Sequence, residues 1–318
     1  MTNKEENAYC IFLNNGVIKA ESASDWERIS CERKRASDFR RRGMEEQGMP
    51  QELGEFTFRS IKEGLSAKVI GQRIVCLDVT DSTNTQAKRL GREGTSEGTV
   101  VLAEMQTGGR GRLERSFFSP RGKGLWFSVL LRPSFPPAEA PKCTLLAAVA
   151  VAMAMERFGL RAGIKWPNDI LHDGKKLTGI LTEMSVSAGK IDFVVIGIGI
   201  NVNIAEEEFP AELREIATSL SVMKGEEISR IAFLQAVLEE IEVLYLRMQR
   251  EGFAPILKQW KKYSATLGKE VRVIGMGDRE SFCGTAVDLD EDGMLLVRTG
   301  EGIRKVLAGD VSIRPQNE

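Results

Sequence analysis

The stretch DFVVIGIGINVN, residues 192–203, is apolar or glycine at nearly every position between its polar ends. A strand with one wet face alternates apolar with polar residues, whereas a strand buried on both faces reads as a continuous apolar run. This segment therefore reads as a strand with both faces buried, covered by other layers of the protein on each side. A second apolar run, CTLLAAVAVAMAM at residues 143–155, leads directly into Glu156 and Arg157. It falls short of the roughly 20 residues that span a bilayer, and its alanine content suits close packing, so it reads as a core helix.

The remaining elements follow from local signals. FTFRSIKEGL (56–65) reads as a short helix and RIVCLDV (73–79) as a strand. Asp81, Ser82 or Thr83 caps a helix starting near Asn84. GTVVLAEMQ (98–106) and LWFSVLLRP (125–133) are further strands, the second closed by proline. His172, Asp173 and Gly174 make a turn between two more. ISRIAFLQAVLEEIEVLYLRMQREG (228–252) carries apolar residues at helical spacing and stops at glycine. After Leu267 the pattern changes to short strands, KEVRVIG, ESFCGTAVDLD, GMLLVRT and IRKVLAGDVSIRP, which predicts a small β-barrel or β-sandwich. Residues 1–55 differ from all of this. RISCERKRASDFRRRGMEEQG (28–48) is crowded with charge and has too few apolar positions to face a core. The predicted organisation is thus an N-terminal segment at 1–55, a main domain at 56–266 and a C-terminal β domain at 267–318.

Composition removes several classes of function. The formal net charge is −1, which argues against a surface built as a whole for nucleic acid. The basic run from Arg33 to Arg42 is by itself a solvated face more often than a DNA contact. Five scattered cysteines with no CxxC pair, and a single histidine, leave neither a disulfide framework nor a zinc site. No secretory signal is visible, so a cytoplasmic location is expected. GIGINVN fails the dinucleotide fingerprint because Val202 stands at the third glycine position, and no Walker-type Gly-Lys-Ser/Thr ending exists.

Four segments remain as candidates for chemistry. QTGGRGRLERSFFSP (106–120) combines glycines with Arg110, Arg112 and Arg115. It reads either as a solvated loop or as a mobile lid whose arginines neutralise an anion. A unit-charge pair near a protein surface is worth about 4 kcal/mol before desolvation. Ordering a residue costs ~1–2 kcal/mol, so such a lid closes when its anion is present. KWPND, from Lys165 through Trp166, Pro167 and Asn168 to Asp169, reads either as a turn or as a phosphate-binding lysine near a magnesium-positioning carboxylate. Lys176 enters the buried-looking stretch Leu177-Thr178-Gly179 and needs an anionic partner there. DSTN (81–84) is either a helix cap or a cluster of small polar groups suited to an uncharged amide or urea.

In order and approximate spacing, DSTN, GGRGR, KWPND, KKLTGILTE and IGIGINVN resemble the biotin–protein ligases, and the likeness runs from about Phe56 to the C-terminus. It implies an α+β fold: a central mixed sheet with helices, the class II synthetase-like core of that family, followed by an SH3-like barrel. It also implies two steps, biotin plus ATP and Mg²⁺ to biotinyl-5′-AMP, then transfer to a lysine of the biotin carboxyl carrier protein of acetyl-CoA carboxylase. By the family pattern biotin is held by Ser82, Thr83, Asn84, Gln106, Arg110, Gly111, Arg112 and Lys176. The nucleotide is met by Arg110, Arg112, Arg115, Trp166, Asn168, Lys176 and Asn201. Lys176, Arg112, Lys165 and Asp169 carry catalysis, with no metal ligands named. The family often has glycine where Glu114 stands and tryptophan where Phe117 stands. The winged helix-turn-helix of members with a leading segment is not recognisable in residues 1–55, which reads as a degenerate or altered DNA-binding module. Edge-to-edge sheet pairing would give a homodimer. Two alternatives stand beside this reading: a lipoate or octanoyl transferase, and a biotin-responsive repressor that binds operator DNA.

Overall fold

A computed structural model describes residues 56–112, 115–275, 281–307 and 311–315. The expectations for residues 1–55 and for Glu114 lie outside the described residues.

Seven strands form the main sheet: β1 (Ile74–Thr80), β2 (Val100–Gln106), β3 (Gly124–Leu131), β4 (Gly163–Lys165), β5 (Asp169–His172), β6 (Lys175–Ser187) and β7 (Lys190–Asn201). Their order is β1-β2-β3-β7-β6-β5-β4. Only β1 and β2 run parallel, and the other neighbours are antiparallel, so the sheet is mixed as expected. β7 lies at the centre, between β3 and β6, and its residues 193–198 are all buried. One face of the sheet packs on α3 (Lys142–Arg157) and α5 (Arg230–Glu251), with α1 (Phe58–Lys62) and α6 (Ala254–Tyr263) at the margins. The opposite face takes α2 (Thr83–Arg92), whose Ala87 and Leu90 meet Val101, Leu130, Phe193 and Val195.

The apolar run 143–155 lies in α3. The segment 137–157 is long and apolar enough to cross a bilayer by composition, but 72% of its most apolar stretch is buried inside the protein. It is the core helix that the sequence implies. α4 (Leu220–Lys224) is a short helix ended by Gly225 in the left-handed region.

β8 (Glu270–Gly275), β9 (Phe282–Leu289), β10 (Leu295–Thr299), β11 (Gly302–Val306) and β12 (Val311–Pro315) form a five-stranded antiparallel sheet in the order β11-β10-β9-β8-β12. This is the small C-terminal β module. Its apolar face, from Val271 and Val273 to Leu295, Val297 and Val306, joins the same core as α3 and α6. Polar ties reinforce the contact: Trp166 Nε1 donates to Gly293 O (3.0 Å), and Lys261 pairs with Asp288 (2.6 Å). Beneath the start of the described chain, Arg230 pairs with Glu104 at 2.8 Å with both side chains buried, and its guanidinium lies over the Phe56 ring.

Candidate active site

The start of α2 supplies three small polar side chains, Ser82, Thr83 and Asn84, all buried. Ser82 occupies the N-cap position, yet its side chain makes no capping bond. The orphan N–H of Thr83 is taken by Gln106 Oε1 at the end of β2 (2.8 Å), and Ser82 lies on the wall of a cavity. Gln106 Nε2 donates to Ser119 Oγ (3.2 Å), so its amide orientation is set from both sides. This is one end of the site, dense with hydrogen bonds, where the lining side chains of Ser82, Thr83, Asn84 and Gln106 are uncharged.

Glycines build the wall beside it. On β7 the residues Ile196, Ile198 and Ile200 face the α3 side, while Gly197 and Gly199 face the cavity. A Cβ on Gly197 would come within 2.0 Å of Asn84 Oδ1. A Cβ on Gly199 or on Gly179 of β6 would come within 2.7 or 2.8 Å of the Phe117 ring. The alternating glycines therefore let Asn84 and Phe117 lie directly on the sheet. Phe117 is held edge-on by Trp126, 5.9 Å between centroids.

The other end is cationic. Arg110, Arg112, Arg115, Lys165 and Lys176 line it against Asp169, the single lining carboxylate among the described residues. The β5–β6 hairpin turns through Asp173 and Gly174, both at positive φ, as the sequence predicts. A bulge between Ile170 and Leu171 alters the register just beside Lys176. The Lys176 backbone is clamped by Ile216 O and the Thr218 N–H, and its ammonium lies 2.7 Å from Asp169 Oδ1 and 5.7 Å from the Phe117 ring centroid. The buried-looking lysine thus has its anion within the protein. Arg112 donates to Asn168 Oδ1 (3.2 Å), and Asn168 in turn donates to Ile180 O. Burial lowers the Arg112 guanidinium pKa; Asp169 opposes that shift and Arg115 adds to it. Arg110 reaches Thr85 Oγ1 at 2.6 Å. The glycine–arginine loop is closed on itself by Gly111 N–H to Arg115 O and Phe117 N–H to Gly109 O.

Between these ends lies a cavity of about 140 Å³ that touches Ser82, Thr83, Asn84, Gln106, Arg110, Gly111, Arg112, Arg115, Lys165, Trp166, Asn168, Asp169 and Lys176. Of the candidates from the sequence, only Asn201 is not on its wall. Its side chain is buried and donates to Thr218 O (2.9 Å), holding the same segment that clamps Lys176. Trp166 touches the cavity, but its ring belongs to the core and its Nε1 is spent on Gly293, because the C-terminal sheet packs over it. Sequence reasoning missed the wall glycines 179, 197 and 199, and also Ser128 and Glu183. The signal for Ser128 was there: it is the one polar residue within LWFSVLL.

No group of three or more His, Cys, Asp or Glu side chains is placed to hold a metal among the described residues. Mg²⁺ commonly takes one or two protein carboxylates together with substrate phosphates. The donor set here fits that arrangement, with Asp169 as the protein's contribution, and does not fit an all-protein cage.

Known proteins share both sheets. Residues 76–201 match the biotin/lipoate A/B protein ligase family, and residues 266–314 match the biotin protein ligase C-terminal domain. The bifunctional ligase/repressor BirA of Bacillus subtilis is 41% identical over 311 residues, covering 94% of each chain. BirA of Escherichia coli is 31% identical over 246 residues, 77% of this chain and 75% of that one. A biotin protein ligase from Aquifex aeolicus, solved in complex with biotin and ATP, superposes with a TM-score of 0.66 at 34% identity, covering 76% of this chain and 99% of that one. The chain belongs to the biotin protein ligase family.

Proposed function

We propose that this chain is a biotin–protein ligase that joins biotin to a lysine of the biotin carboxyl carrier protein of acetyl-CoA carboxylase by way of biotinyl-5′-AMP. The observation that carries the reading is the polarity of one cavity: an uncharged hydrogen-bonding end at Ser82, Thr83 and Gln106, and a cationic end at Lys176, Arg112, Arg110, Arg115 and Lys165. Biotin has that polarity, with a cyclic urea at one end and a carboxylate at the other.

In the first step a biotin carboxylate oxygen bonds to the α-phosphorus of ATP and pyrophosphate leaves. Both reactants are anions, so the barrier is lowered mainly by positioning and by positive charge. Lys176 meets the carboxylate and α-phosphate oxygens, exchanging its contact with Asp169 for the substrate. Arg112 and Lys165 take the remaining phosphate charge; a Mg²⁺ ion bound with ATP would be held by the phosphates and Asp169 and would supply further charge neutralisation there. In the second step the neutral amine of the carrier lysine attacks the acyl carbon, AMP leaves and an amide forms. The mixed anhydride hydrolyses if wetted, and the Arg110–Arg115 loop covers it. The Asn201 amide acts from behind by fixing the Lys176 clamp. Domain boundaries at 56–266 and 267–318 are supported by the start of β8 at Glu270.

Incubation with ATP, Mg²⁺, labelled biotin and a carrier domain tests the reading: label on the carrier is expected. Transfer of lipoate or octanoate instead would overturn it. The dithiolane ring of lipoate has no N–H or C=O groups, so it would leave the buried polar end unpaired, at a cost of ~1–3 kcal/mol per group. A second activity, repression of biotin genes through residues 1–55, is supported by the name of the 41% identical relatives, ligase/repressor. Retardation of operator DNA by the full chain in the presence of biotin and ATP tests it, and sedimentation under the same conditions tests the homodimer.

A further inference from the structure

We propose that Thr85 is a positioning residue for the glycine–arginine loop: its hydroxyl takes the Arg110 guanidinium and pins the loop across the cavity, so that Thr85 sets how long biotinyl-adenylate is retained without touching it. This rests on the biotin reading above and deepens it.

The stem of the loop is fixed by its backbone. The N–H groups of Thr107 and Gly108 donate to Thr80 O (2.9 Å) and Asp81 O (2.8 Å), and Phe117 N–H closes back on Gly109 O (2.9 Å). Beyond the stem the loop leaves the body of the protein. Among the described residues, a Cβ placed on Gly111 would meet only Arg115, at 3.5 Å, so the backbone there stands clear of the sheet and of α2. Side chains make the crossing instead. Arg110 Nη2 donates to Thr85 Oγ1 on α2 (2.6 Å), and Arg112 Nη1 donates to Asn168 Oδ1 just before β5 (3.2 Å). One arginine thus braces the loop to the uncharged end of the cavity, and the other braces it to the cationic end.

The two braces differ in what a ligand does to them. Arg112 and Asn168 both line the cavity, where an arriving phosphate competes for the Arg112 fork. Thr85 is half-buried in the first turn of α2 and lies off the cavity wall, so a ligand does not displace it from Arg110. A cation at this place meets the positive end of the helix dipole, and α2 has no acidic residue in its first turn to offset it. Glu183 on β6 supplies the countercharge. Lys88 Nζ sits 2.5 Å from its Oε1, and Asn84 Nδ2 donates to its Oε2 (2.9 Å). Burial pushes the Glu183 carboxyl pKa up, but hydrogen bonds from Lys88 and Asn84 and the charges of Lys88 and Arg110 outweigh it and hold it below the ordinary glutamate value. The carboxylate therefore stays ionised near neutral pH and steadies Arg110 against Thr85.

The test is the rate at which intermediate made from ATP, Mg²⁺ and labelled biotin leaves the full chain when no carrier is present, measured beside the rate of adenylate formation and the biotin KM. Thr85→Val keeps the shape of the side chain and removes its acceptor. It is expected to speed release of biotinyl-adenylate about tenfold, the effect of one charge-assisted hydrogen bond at a half-exposed site, with adenylate formation and biotin KM within about twofold. Thr85→Ser should bring retention back to within about twofold of the parent, because it restores the acceptor. In an Arg110→Ala background, Thr85→Val is expected to change the release rate less than about twofold, because its partner is gone. Glu183→Gln should show the same dependence on Arg110 with a smaller factor, about threefold. An unchanged release rate in Thr85→Val, or an equal factor in both backgrounds, overturns the proposal. So does a merely structural loss, in which biotin KM, adenylate formation and melting temperature all worsen together and Thr85→Ser rescues none of them. Failure of the unmodified protein to activate biotin is a separate result, and it would overturn the ligase reading and this inference with it.

Discussion

The two ends of the cavity are built on different principles. At the uncharged end, every described polar side chain except the Ser82 hydroxyl is tied to a neighbour, and the sheet is shaved to glycine to let Asn84 lie against it. At the cationic end, charge is supplied by long side chains, several of them on a loop and a hairpin, steadied by contacts such as Arg110 to Thr85 and Lys176 to Asp169. Hydrogen bonds to a neutral group depend steeply on angle, so they need a rigid frame. Coulomb attraction falls off slowly with distance, so it tolerates movement and suits a loop that closes on reactants. Selectivity is expected to reside at the first end and rate at the second.

Substitutions at each end can break that division. Lys176→Ala should have the largest effect, a loss of adenylate formation by about 10²–10³-fold with little change in biotin affinity, read by biotin-dependent pyrophosphate exchange. If biotin binding weakened as much as turnover, the division of labour would be wrong. Gly197→Ala comes next. Its Cβ would collide with Asn84 Oδ1, so biotin KM should rise at least tenfold, with ~1–3 kcal/mol lost from folding stability in denaturant titration. Arg112→Gly should leave adenylate formation within about tenfold but release the intermediate, seen as free biotinyl-adenylate and label on bystander proteins. Retention as tight as in the parent would remove the lid from the mechanism.

The smallest effect concerns pH. The Glu183 carboxyl has its pKa lowered from 4.5 in the folded protein, so its contribution to stability is fully present above that unfolded value and is lost as pH falls through the folded one. Melting temperatures of the parent and of Glu183→Gln should therefore converge between about pH 7 and about pH 3. A constant gap would mean that Glu183 ionisation contributes nothing to the folded state.

Much of this was legible in the chain. The apolar run of β7, the core helix α3, the Asp173–Gly174 turn and the change to short strands after Leu267 follow from period and turn chemistry, which act locally. The charged groups of the site were legible too, because arginine and lysine beside glycine, or entering an apolar stretch, raise a question that a bound anion answers. The glycines of GIGIN were read for what they are not, a dinucleotide fingerprint. Their purpose, room for Asn84 and Phe117, depends on which side chains lie opposite, and those come from α2 and from the loop before β3. The strand pattern of residues 303–315 gave no sign that it divides into β11 and β12, on opposite edges of the C-terminal sheet.

Local order in this protein therefore came largely from the sequence by itself: where most helices and strands lie, which strand has both faces buried, and which residues bring charge. Only the tertiary structure decided that Gln106 meets the first N–H of α2, that the Lys176 ammonium lies against Asp169, and that Asn201 stands behind the cavity wall and not on it. The physical reason is that a hydrogen bond or an ion pair is a choice among partners. Residues as distant in sequence as Asn84, Ser128 and Glu183 become partners only once the sheet has set their register.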